Sequence, residues 1–492
     1  MPPRGWSGLH IRGLSRRQET VACVLSGGGS RASFQLGALS WLYEHDPLFT
    51  PTVFVGTSAG AILAAALAQG AGPQEQLARN QQLLDIWYDL KTQDDMFTPR
   101  PWLGRAQAEM PGWLELVEQA GTPSPPSPGR SFASRFPFLR RPESPSSPPS
   151  PTPPPPPPDP LEAALTPDED LRPEWSLGDV VQLMGHIGKL PRLGSDLAAI
   201  RQGMEHTRSM YRPGPMLARL LDGVVFDQES VQRTGNTLRM AMVALESGEL
   251  RFMREDGRLT DRDGLVFDDT RYPLATGVLA SCAIPAVFRP VRLGTETYID
   301  GGARDNLAAE LTIGQLHPGR TYVITSQAAG VRTRQSMADA DLISVVMRAL
   351  EILVDEAGRD EIAYAHSAGA IVIAPDLDVH ASMTVHPGLI RIHVAYGWMR
   401  AAEAILQAGP EQEARTRRII ALRMKAVQLE ERISKGDESA HTAERLVGAK
   451  RELRDVVTAS DPRVLPPGAG EWWAQFERHA EPPTFELSWL DD

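Results

Sequence analysis

The stretch Val53-Phe54-Val55-Gly56-Thr57-Ser58-Ala59-Gly60, followed by the small-residue run 61–67, decides the fold of this chain. Its apolar start predicts a buried strand and its alanine-rich end predicts a helix. Between them lies a G-x-S-x-G turn, in which the serine is pushed out of the backbone and the glycines let strand and helix approach closely. The helix start supplies unpaired N–H groups and positive potential, which favour an anionic intermediate at Ser58. The stretch therefore indicates a nucleophilic serine, although a turn without chemistry would show the same pattern.

Two distant segments favour the nucleophile. Residues 21–25 predict a buried strand that runs into Gly27-Gly28-Gly29, and residues 32–43 behind this loop predict a helix. Consecutive glycines leave backbone amides free to converge on one point, as stabilisation of an oxyanion requires. Far downstream, Asp300-Gly301-Gly302 follows a predicted strand end. A carboxylate there could accept the proton of the serine directly.

In these segments the chain resembles the bacterial patatin-like phospholipases. Members of that family carry a G-G-G-x-R/K-G loop, a G-x-S-x-G elbow and a D-G-G/A motif, in that order. The matching stretches here are Gly27-Gly28-Gly29-Ser30-Arg31, Gly56-Thr57-Ser58-Ala59-Gly60 and Asp300-Gly301-Gly302. A fourth similar stretch, residues 280–290, lies just before the aspartate. The resemblance covers residues 21–307 and continues more weakly to residue 402.

The resemblance implies a lipid acyl hydrolase of the phospholipase A type, with a Ser–Asp dyad that uses no histidine. Ser58 is then the nucleophile, Asp300 the base, and the amides of Gly27, Gly28 and Gly29 the oxyanion hole, with the Ala59 amide as a further donor. The residues that support the loop and the elbow are Arg31, Gly56, Gly60, Gly301 and Gly302. Arg31 would order the loop or face a phosphate, unless it is an ordinary surface arginine. No cofactor or metal is required, and the substrate is a lipid or phospholipid acyl ester.

The chain departs from the family pattern at two places. Ala32 stands where the family usually has glycine, so its methyl group either crowds the loop or belongs to a helix that tolerates it. The family often continues D-G-G with an N-x-P stretch, whereas this chain has Asn306-Leu307-Ala308. Neither change removes a reacting group.

Other assignments of the same residues stay open. Asp305 is a rival base five positions beyond Asp300. A Ser–His–Asp triad would find its histidine among His380, His386 and His393, although none lies in a motif that asks for catalysis. The glycine loop also fits a dinucleotide-binding fingerprint, but the second strand ends in the serine elbow where that fold needs an acidic residue. A fourth alternative is a patatin-shaped scaffold that acts through its proline-rich insert and its C-terminal helices.

Composition limits the class of protein. The chain has 492 residues and a formal net charge of −12, which argues against nucleic acid as a partner and gives no global attraction to an anionic membrane. The two cysteines, Cys23 and Cys282, are predicted to be buried free thiols rather than a disulfide. The first twenty residues lack an apolar h-region, and no apolar run is long enough to span a bilayer. These features predict a cytoplasmic protein with peripheral membrane contact.

Strands alternate with helices along the chain, which predicts an α/β fold: a three-layer α/β/α sandwich with a mostly parallel central sheet and a C-terminal helical hairpin. The predicted order is a flexible arm at 1–20, a catalytic domain at 21–315, the remaining α/β core at 316–405, and a helical hairpin with a tail at 406–492. The catalytic domain is interrupted at 122–160 by a Pro/Ser-rich stretch, which is predicted to be a disordered spacer. The insert between residues 73 and 236 is expected to cover the site as a lid.

The C-terminal region predicts two charged helices, at 411–434 and 443–457, that form a hairpin. The hairpin could pack on its own domain, or its helices could form a homodimer contact. A basic cluster on the first helix could also touch anionic headgroups, although acidic neighbours dilute it. The members of this cluster are Arg415, Arg417, Arg418, Arg423 and Lys425.

Overall fold

The computed structural model describes residues 20–100, 209–222, 226–285, 287–328, 337, 342–436, 439–479 and 483. Several predictions therefore lie outside the described residues. These are the arm at 1–20 except Thr20, the Pro/Ser-rich insert at 122–160, and the parts of the expected lid at 101–208 and 223–225.

Twelve strands occur in the described part of the chain. They are β1 (Val21–Leu25), β2 (Val53–Thr57), β3 (Phe97–Pro99), β4 (Tyr211–Pro213), β5 (Thr237–Ala244), β6 (Leu250–Arg254), β7 (Leu259–Thr260), β8 (Val266–Asp268), β9 (Val291–Leu293), β10 (Glu296–Asp300), β11 (Arg320–Ile324) and β12 (Ile371–Ile373). Ten of them form one sheet, and β3 and β4 form a separate antiparallel pair.

The principal helices of the described residues include those that cover the two faces of the large sheet and those that form the C-terminal part of the chain. They are α1 (Ala32–His45), α2 (Ala59–Leu67), α3 (Pro73–Tyr88), α4 (Pro215–Leu220), α5 (Gln228–Thr234), α6 (Leu274–Ser281), α7 (Leu342–Ser367), α8 (Pro387–Leu406), α9 (Pro410–Ser434) and α10 (Ala440–Thr458). A single helical turn, Ala309–Leu311, and a π-helical turn, Thr312–Leu316, precede β11.

The large sheet is mixed. Its order is β12-β11-β1-β2-β5-β6-β7-β8, and β10 branches from β5 to pair with β9. The five strands from β12 to β5 are mutually parallel, whereas every pairing beyond β5 is antiparallel. The predicted parallel arrangement thus holds for the half of the sheet that carries the glycine loop and the serine elbow.

Alternating side chains of the central strands enter two separate cores. In β1, Val21, Cys23 and Leu25 face the larger core, which contains buried residues of α1, α2 and α8. Ala22 and Val24 face the second core, where Ala365 of α7 also lies. Because successive strand residues point to opposite faces, helices on both sides bury the central parallel strands. The predicted α/β/α sandwich is confirmed.

The C-terminal helices α9 and α10 pack against each other as an antiparallel hairpin, and α9 also packs on α8. Three apolar residues of α9, Ile419, Ile420 and Val427, are fully buried. The hairpin is therefore packed on its own chain. Among the described residues, no helix is both long enough and apolar enough to cross a bilayer. Cys23 and Cys282 are buried free thiols, as predicted.

Candidate active site

Ser58 lies at the sharp turn between β2 and α2. Its φ of 53° and ψ of −125° place a non-glycine residue in a region of backbone space that L-residues rarely adopt. The residue is the N-cap of α2, and its side chain makes no capping hydrogen bond. The hydroxyl is therefore not consumed by the helix start. This is the backbone geometry of a nucleophile on a strained elbow.

The two elbow glycines are required by close backbone contact. A Cβ on Gly56 would lie 2.3 Å from the carbonyl oxygen of Gly60. A Cβ on Gly60 would lie 2.3 Å from the carbonyl oxygen of Leu25 and 2.6 Å from that of Ser26. Helix α2 thus crosses directly over the end of β1, and only glycine permits this approach.

Asp300, at the end of β10, lies beside Ser58. Both residues are buried, with 5% and 6% of their surface exposed, respectively. Burial raises the pKa of Asp300 to about 6, while hydrogen bonds from the Ser58 hydroxyl and the Gly302 amide partly offset this rise. The structure thus brings together the two groups that the sequence analysis paired across 242 positions. A buried carboxylate with a pKa close to neutral is suited to accept a proton.

Ser281, at the end of α6, connects the elbow to the sheet. Its Oγ accepts a hydrogen bond from the Ser58 amide at 2.9 Å and donates one to the carbonyl oxygen of Ala241 at 2.6 Å. Two residues later, the Ala283 carbonyl oxygen accepts a hydrogen bond from the Asp300 amide at 3.0 Å. One short segment therefore holds the backbone of both Ser58 and Asp300. The sequence analysis quoted this stretch for its family resemblance but assigned it no role.

The glycine loop after β1 is held rigidly, and this changes which amides are free. The Gly27 amide donates to the carbonyl oxygen of Asn306 at 3.1 Å, so it is not available as an oxyanion donor in this conformation. The amides of Gly28, Gly29 and Ala59 have no acceptor within the described residues. The amides of Gly28, Gly29 and Ala59 are therefore the free candidates for oxyanion donors, and the catalytic role of the glycine loop stays a prediction.

A segment near the start of α8 braces the same loop. The Ser30 amide and hydroxyl both donate to the carbonyl oxygen of Ser382, at 2.9 and 3.0 Å. Arg31 donates through Nε to the carbonyl oxygen of His380 at 2.9 Å and forms an ion pair with Asp378 at 3.6 Å. The Arg31 side chain is 12% exposed, so it is not an ordinary surface arginine. These contacts support the loop-ordering role for Arg31.

The turn after Asp300 shows why the chain lacks the family proline. Ala308 has a φ of 48°, which proline cannot adopt, and its amide donates to the Asp305 carboxylate at 2.6 Å. Gly301 and Gly302 also contribute to this turn, the first through a close backbone approach and the second through a hydrogen bond. A Cβ on Gly301 would lie 2.7 Å from the carbonyl oxygen of Ala241, and the Gly302 amide donates to the Asp300 carboxylate at 2.8 Å.

Asp305, the rival base, is committed to a structural role. Its carboxylate accepts hydrogen bonds from the amides of Leu307 and Ala308, and it faces Glu361 of α7. Burial and the adjacent Asp305 charge raise the pKa of Glu361 well above its usual range, so the pair retains a proton at neutral pH. Ala32 is also accounted for, because it begins α1 with a φ of −57° and needs no glycine.

The three candidate histidines lie elsewhere. His380 and His393 are buried with their rings 4.9 Å apart, and burial lowers the pKa of His380 to about 4. Their Nδ1 atoms lie 3.4 and 3.2 Å from the hydroxyls of Ser30 and Ser33. His386 caps α8 and pairs with Glu431 at 2.6 Å. Within the described residues, none of these three histidines forms a hydrogen bond with Ser58 or Asp300.

One group in the described part of the chain has the composition of a metal site: His386, Glu431 and His479. The Nδ1 of His386 accepts the Leu389 amide at 3.2 Å, which leaves its proton on Nε2, where it is donated to Glu431. His479 is likewise hydrogen-bonded to Glu430 at 3.0 Å. The two histidines are thus satisfied by carboxylates without a metal.

A family model described as patatin-like phospholipase matches residues 23–313. The chain belongs to this family. The patatin-like match includes the glycine loop, the elbow, Ser281 and Asp300, whereas the bracing segment at 378–382 lies beyond it. Membership of this family supports lipid hydrolysis as the general class of activity.

Solved structures show only distant similarity to this patatin-like chain. VipD from Legionella pneumophila is 14% identical with a TM-score of 0.29, over 96% of this chain and 94% of that chain. ExoU in its complex with SpcU, from the type III secretion system of Pseudomonas aeruginosa, is 16% identical with a TM-score of 0.21, over 90% and 78% of the two chains. No curated protein matches the sequence.

Proposed function

We propose that this protein hydrolyses acyl esters of lipids through a Ser58–Asp300 dyad, as a phospholipase of the A type. The observation that carries the proposal is the placement of a serine, on a strained elbow, beside a buried carboxylate whose pKa is raised to about 6. A serine hydroxyl is a poor nucleophile without an adjacent base, and Asp300 is the base within reach.

In the first step, Asp300 accepts the hydroxyl proton while Ser58 Oγ attacks the ester carbonyl carbon. The resulting oxyanion is stabilised by the amides of Gly28, Gly29 and Ala59, which lack other acceptors among the described residues. The bond to the alcohol then breaks, and Asp300 returns the proton to the departing oxygen. The products of this step are the alcohol and an acyl-serine.

In the second step, Asp300 takes a proton from water as the water attacks the acyl-serine. The carbon–Oγ bond breaks, the proton passes to Ser58, and the fatty acid is released. No histidine takes part in either step. The buried carboxylate alternates between its two protonation states, and a pKa near neutrality makes both accessible.

The test is lipid hydrolysis together with labelling by a serine-reactive fluorophosphonate probe. We expect the wild-type protein to release fatty acid from phospholipid and to be labelled at Ser58. Ser58→Ala should abolish both, and Asp300→Asn should lower turnover by about 10²–10⁴-fold. Turnover close to wild type in either variant would contradict the dyad.

Two matched variants serve as controls. Ser367→Ala removes an exposed hydroxyl at the end of α7, and Asp263→Asn removes an exposed carboxylate in a surface turn. Both should keep wild-type turnover. A protein that folds normally but neither reacts with the probe nor releases fatty acid would favour the scaffold alternative. Homodimerisation through the C-terminal helices and a cytoplasmic location stay predictions.

A further inference from the structure

Three arginines meet at the small β3–β4 sheet. Its register places Arg212 opposite Thr98, and the Arg100 amide donates to the carbonyl oxygen of Met210 at 3.0 Å. Arg100 and Arg212 therefore sit at neighbouring positions on one antiparallel pair. This sheet stands where the chain leaves and re-enters the described residues, at 100 and 209.

Arg289 is brought to the same place by two contacts. The Tyr211 amide donates to the carbonyl oxygen of Val287 at 2.9 Å. The ring of Phe288 stacks on that of Phe97, with 5.6 Å between centroids and 18° between planes. Arg289 follows Phe288 directly in the chain, so its backbone lies beside the β3–β4 pair. We call Arg100, Arg212 and Arg289 the arginine cluster.

The arginine cluster has no carboxylate partner among the described residues. Arg100 donates through Nε to the Ser209 hydroxyl at 2.8 Å, while Arg212 and Arg289 are exposed. Partial burial, and then the charges of Arg212 and Arg289, lower the pKa of Arg100, so both neighbouring charges act on this guanidinium group.

The arginines predicted from the sequence to meet headgroups behave differently. On α9, Arg415, Arg417 and Arg418 form ion pairs with Glu411, Asp376 and Glu452. Arg423 is buried in a bidentate pair with Glu477. That set is neutralised by carboxylates of the chain, whereas the arginine cluster has no carboxylate partner in the part of the chain that the structure describes. An anion placed among its guanidinium groups would relieve their mutual repulsion.

The cluster is connected through a short stretch of chain to the segment that supports the candidate active site. Ser281 and Ala283 contact the backbones of Ser58 and Asp300, and Arg289 lies six residues beyond Ala283. Six residues span at most about 20 Å even when fully extended. The Arg289 backbone therefore lies within about 20 Å of the segment that holds Ser58 and Asp300.

We propose that the arginine cluster binds the phosphate groups of anionic lipid headgroups and holds the protein on the membrane that supplies its substrate. Guanidinium groups match phosphate oxygens in charge and in planar, bidentate geometry. A chain with a net charge of −12 has no global attraction to such a membrane, so it needs a local basic contact. The inference rests on the proposed function as a lipid hydrolase.

Binding is tested apart from catalysis, in a Ser58→Ala background that leaves the vesicles intact. Co-sedimentation is measured with vesicles of phosphatidylcholine alone and of phosphatidylcholine mixed with phosphatidylglycerol. Adding Arg100→Gln, Arg212→Gln and Arg289→Gln together should weaken binding to the mixed vesicles by roughly 100-fold, because each basic residue near an anionic surface strengthens binding by roughly fivefold. Binding to phosphatidylcholine alone should change little.

The matched control carries Arg415→Gln, Arg417→Gln and Arg418→Gln, which remove the same charge from the paired arginines of α9. This control should bind mixed vesicles as the parent protein does. Equal loss in both triple variants would overturn the proposal, because net charge and not the cluster would then explain binding. Equal binding with and without the cluster would also overturn it.

Inorganic phosphate separates the two sources of the anion. If phosphate raises the thermal midpoint only when the cluster is intact, while vesicle binding does not depend on the cluster, the ligand is free phosphate and the lipid assignment is wrong. In the catalytically competent protein, the ratio of vesicle hydrolysis to hydrolysis of a soluble ester should fall when the cluster is removed. Cluster-dependent binding without any ester hydrolysis would retain the membrane contact and reject the proposed function.

Discussion

At the scale of single residues, Asp300 connects structure to pH dependence. Burial raises the pKa of this carboxyl from 3.8 to about 6. Because Asp300 must be ionised to accept a proton, kcat/KM for a soluble ester should rise as pH increases through about 6 and level off above it. Asp263→Asn should leave the profile unchanged. An acid limb near the ordinary value of 3.8, or a flat profile across this range, would show that another group is the base.

Ser58 stores backbone strain that the fold must offset. A non-glycine residue in such a conformation costs on the order of 1–3 kcal/mol. Ser58→Gly should therefore be more stable than Ser58→Ala by about 1 kcal/mol, as measured by chemical unfolding, since glycine adopts this φ freely. Both variants lack the nucleophile, so the comparison isolates the backbone.

At an ordinary helical position, replacing alanine by glycine should lower stability instead of raising it, and this serves as the control. Ala443 is exposed within α10, and Ala443→Gly should lower stability by about 1 kcal/mol. If Ser58→Gly were also less stable than Ser58→Ala, the elbow would not be strained in solution.

At the scale of elements, the loop after β1 depends on a segment that lies far away in sequence. Arg31 joins the two through His380 and Asp378. Arg31→Gln should loosen the oxyanion loop and lower kcat by about 10–100-fold with little change in KM, because small displacements of catalytic groups have large effects on rate. Arg219→Gln, which breaks an exposed pair with Asp89, should have no effect on either constant.

The same measurement separates the two roles that the sequence analysis left open for Arg31. A rise in KM for phospholipid with kcat unchanged would indicate a cation that faces the substrate phosphate. A fall in kcat on soluble esters and phospholipids alike would indicate that Arg31 positions the loop.

At the scale of the whole molecule, buried charges tie the C-terminal hairpin to the segment that follows it. Arg423 makes a bidentate contact with Glu477 and lies 4.0 Å over the ring of Trp472. Glu477→Ala would leave a buried arginine unpaired and should lower stability by about 3 kcal/mol. Glu452→Ala breaks the half-exposed pair with Arg418 and should cost less than about 1 kcal/mol. Equal shifts in the thermal midpoint would contradict this difference.

The sequence by itself determined the groups with local signatures. The elbow, the glycine loop and the D-G-G turn each need particular residues because a backbone approaches closely or adopts a rare φ, and such needs are visible in a few consecutive positions. The two faces of the sheet were also readable, since alternation along a strand reports which side each residue covers.

Only the tertiary structure decided which atoms of these groups are free. The Gly27 amide donates to the carbonyl oxygen of Asn306, and the Asp305 carboxylate accepts hydrogen bonds within its own turn. Basic residues of α9 form ion pairs with carboxylates of other elements. The same holds for the arginine cluster, whose members lie at 100, 212 and 289 and meet only through strand pairing and ring stacking. The physical reason is that hydrogen bonds and ion pairs between distant segments depend on three-dimensional register, which leaves no pattern in neighbouring residues.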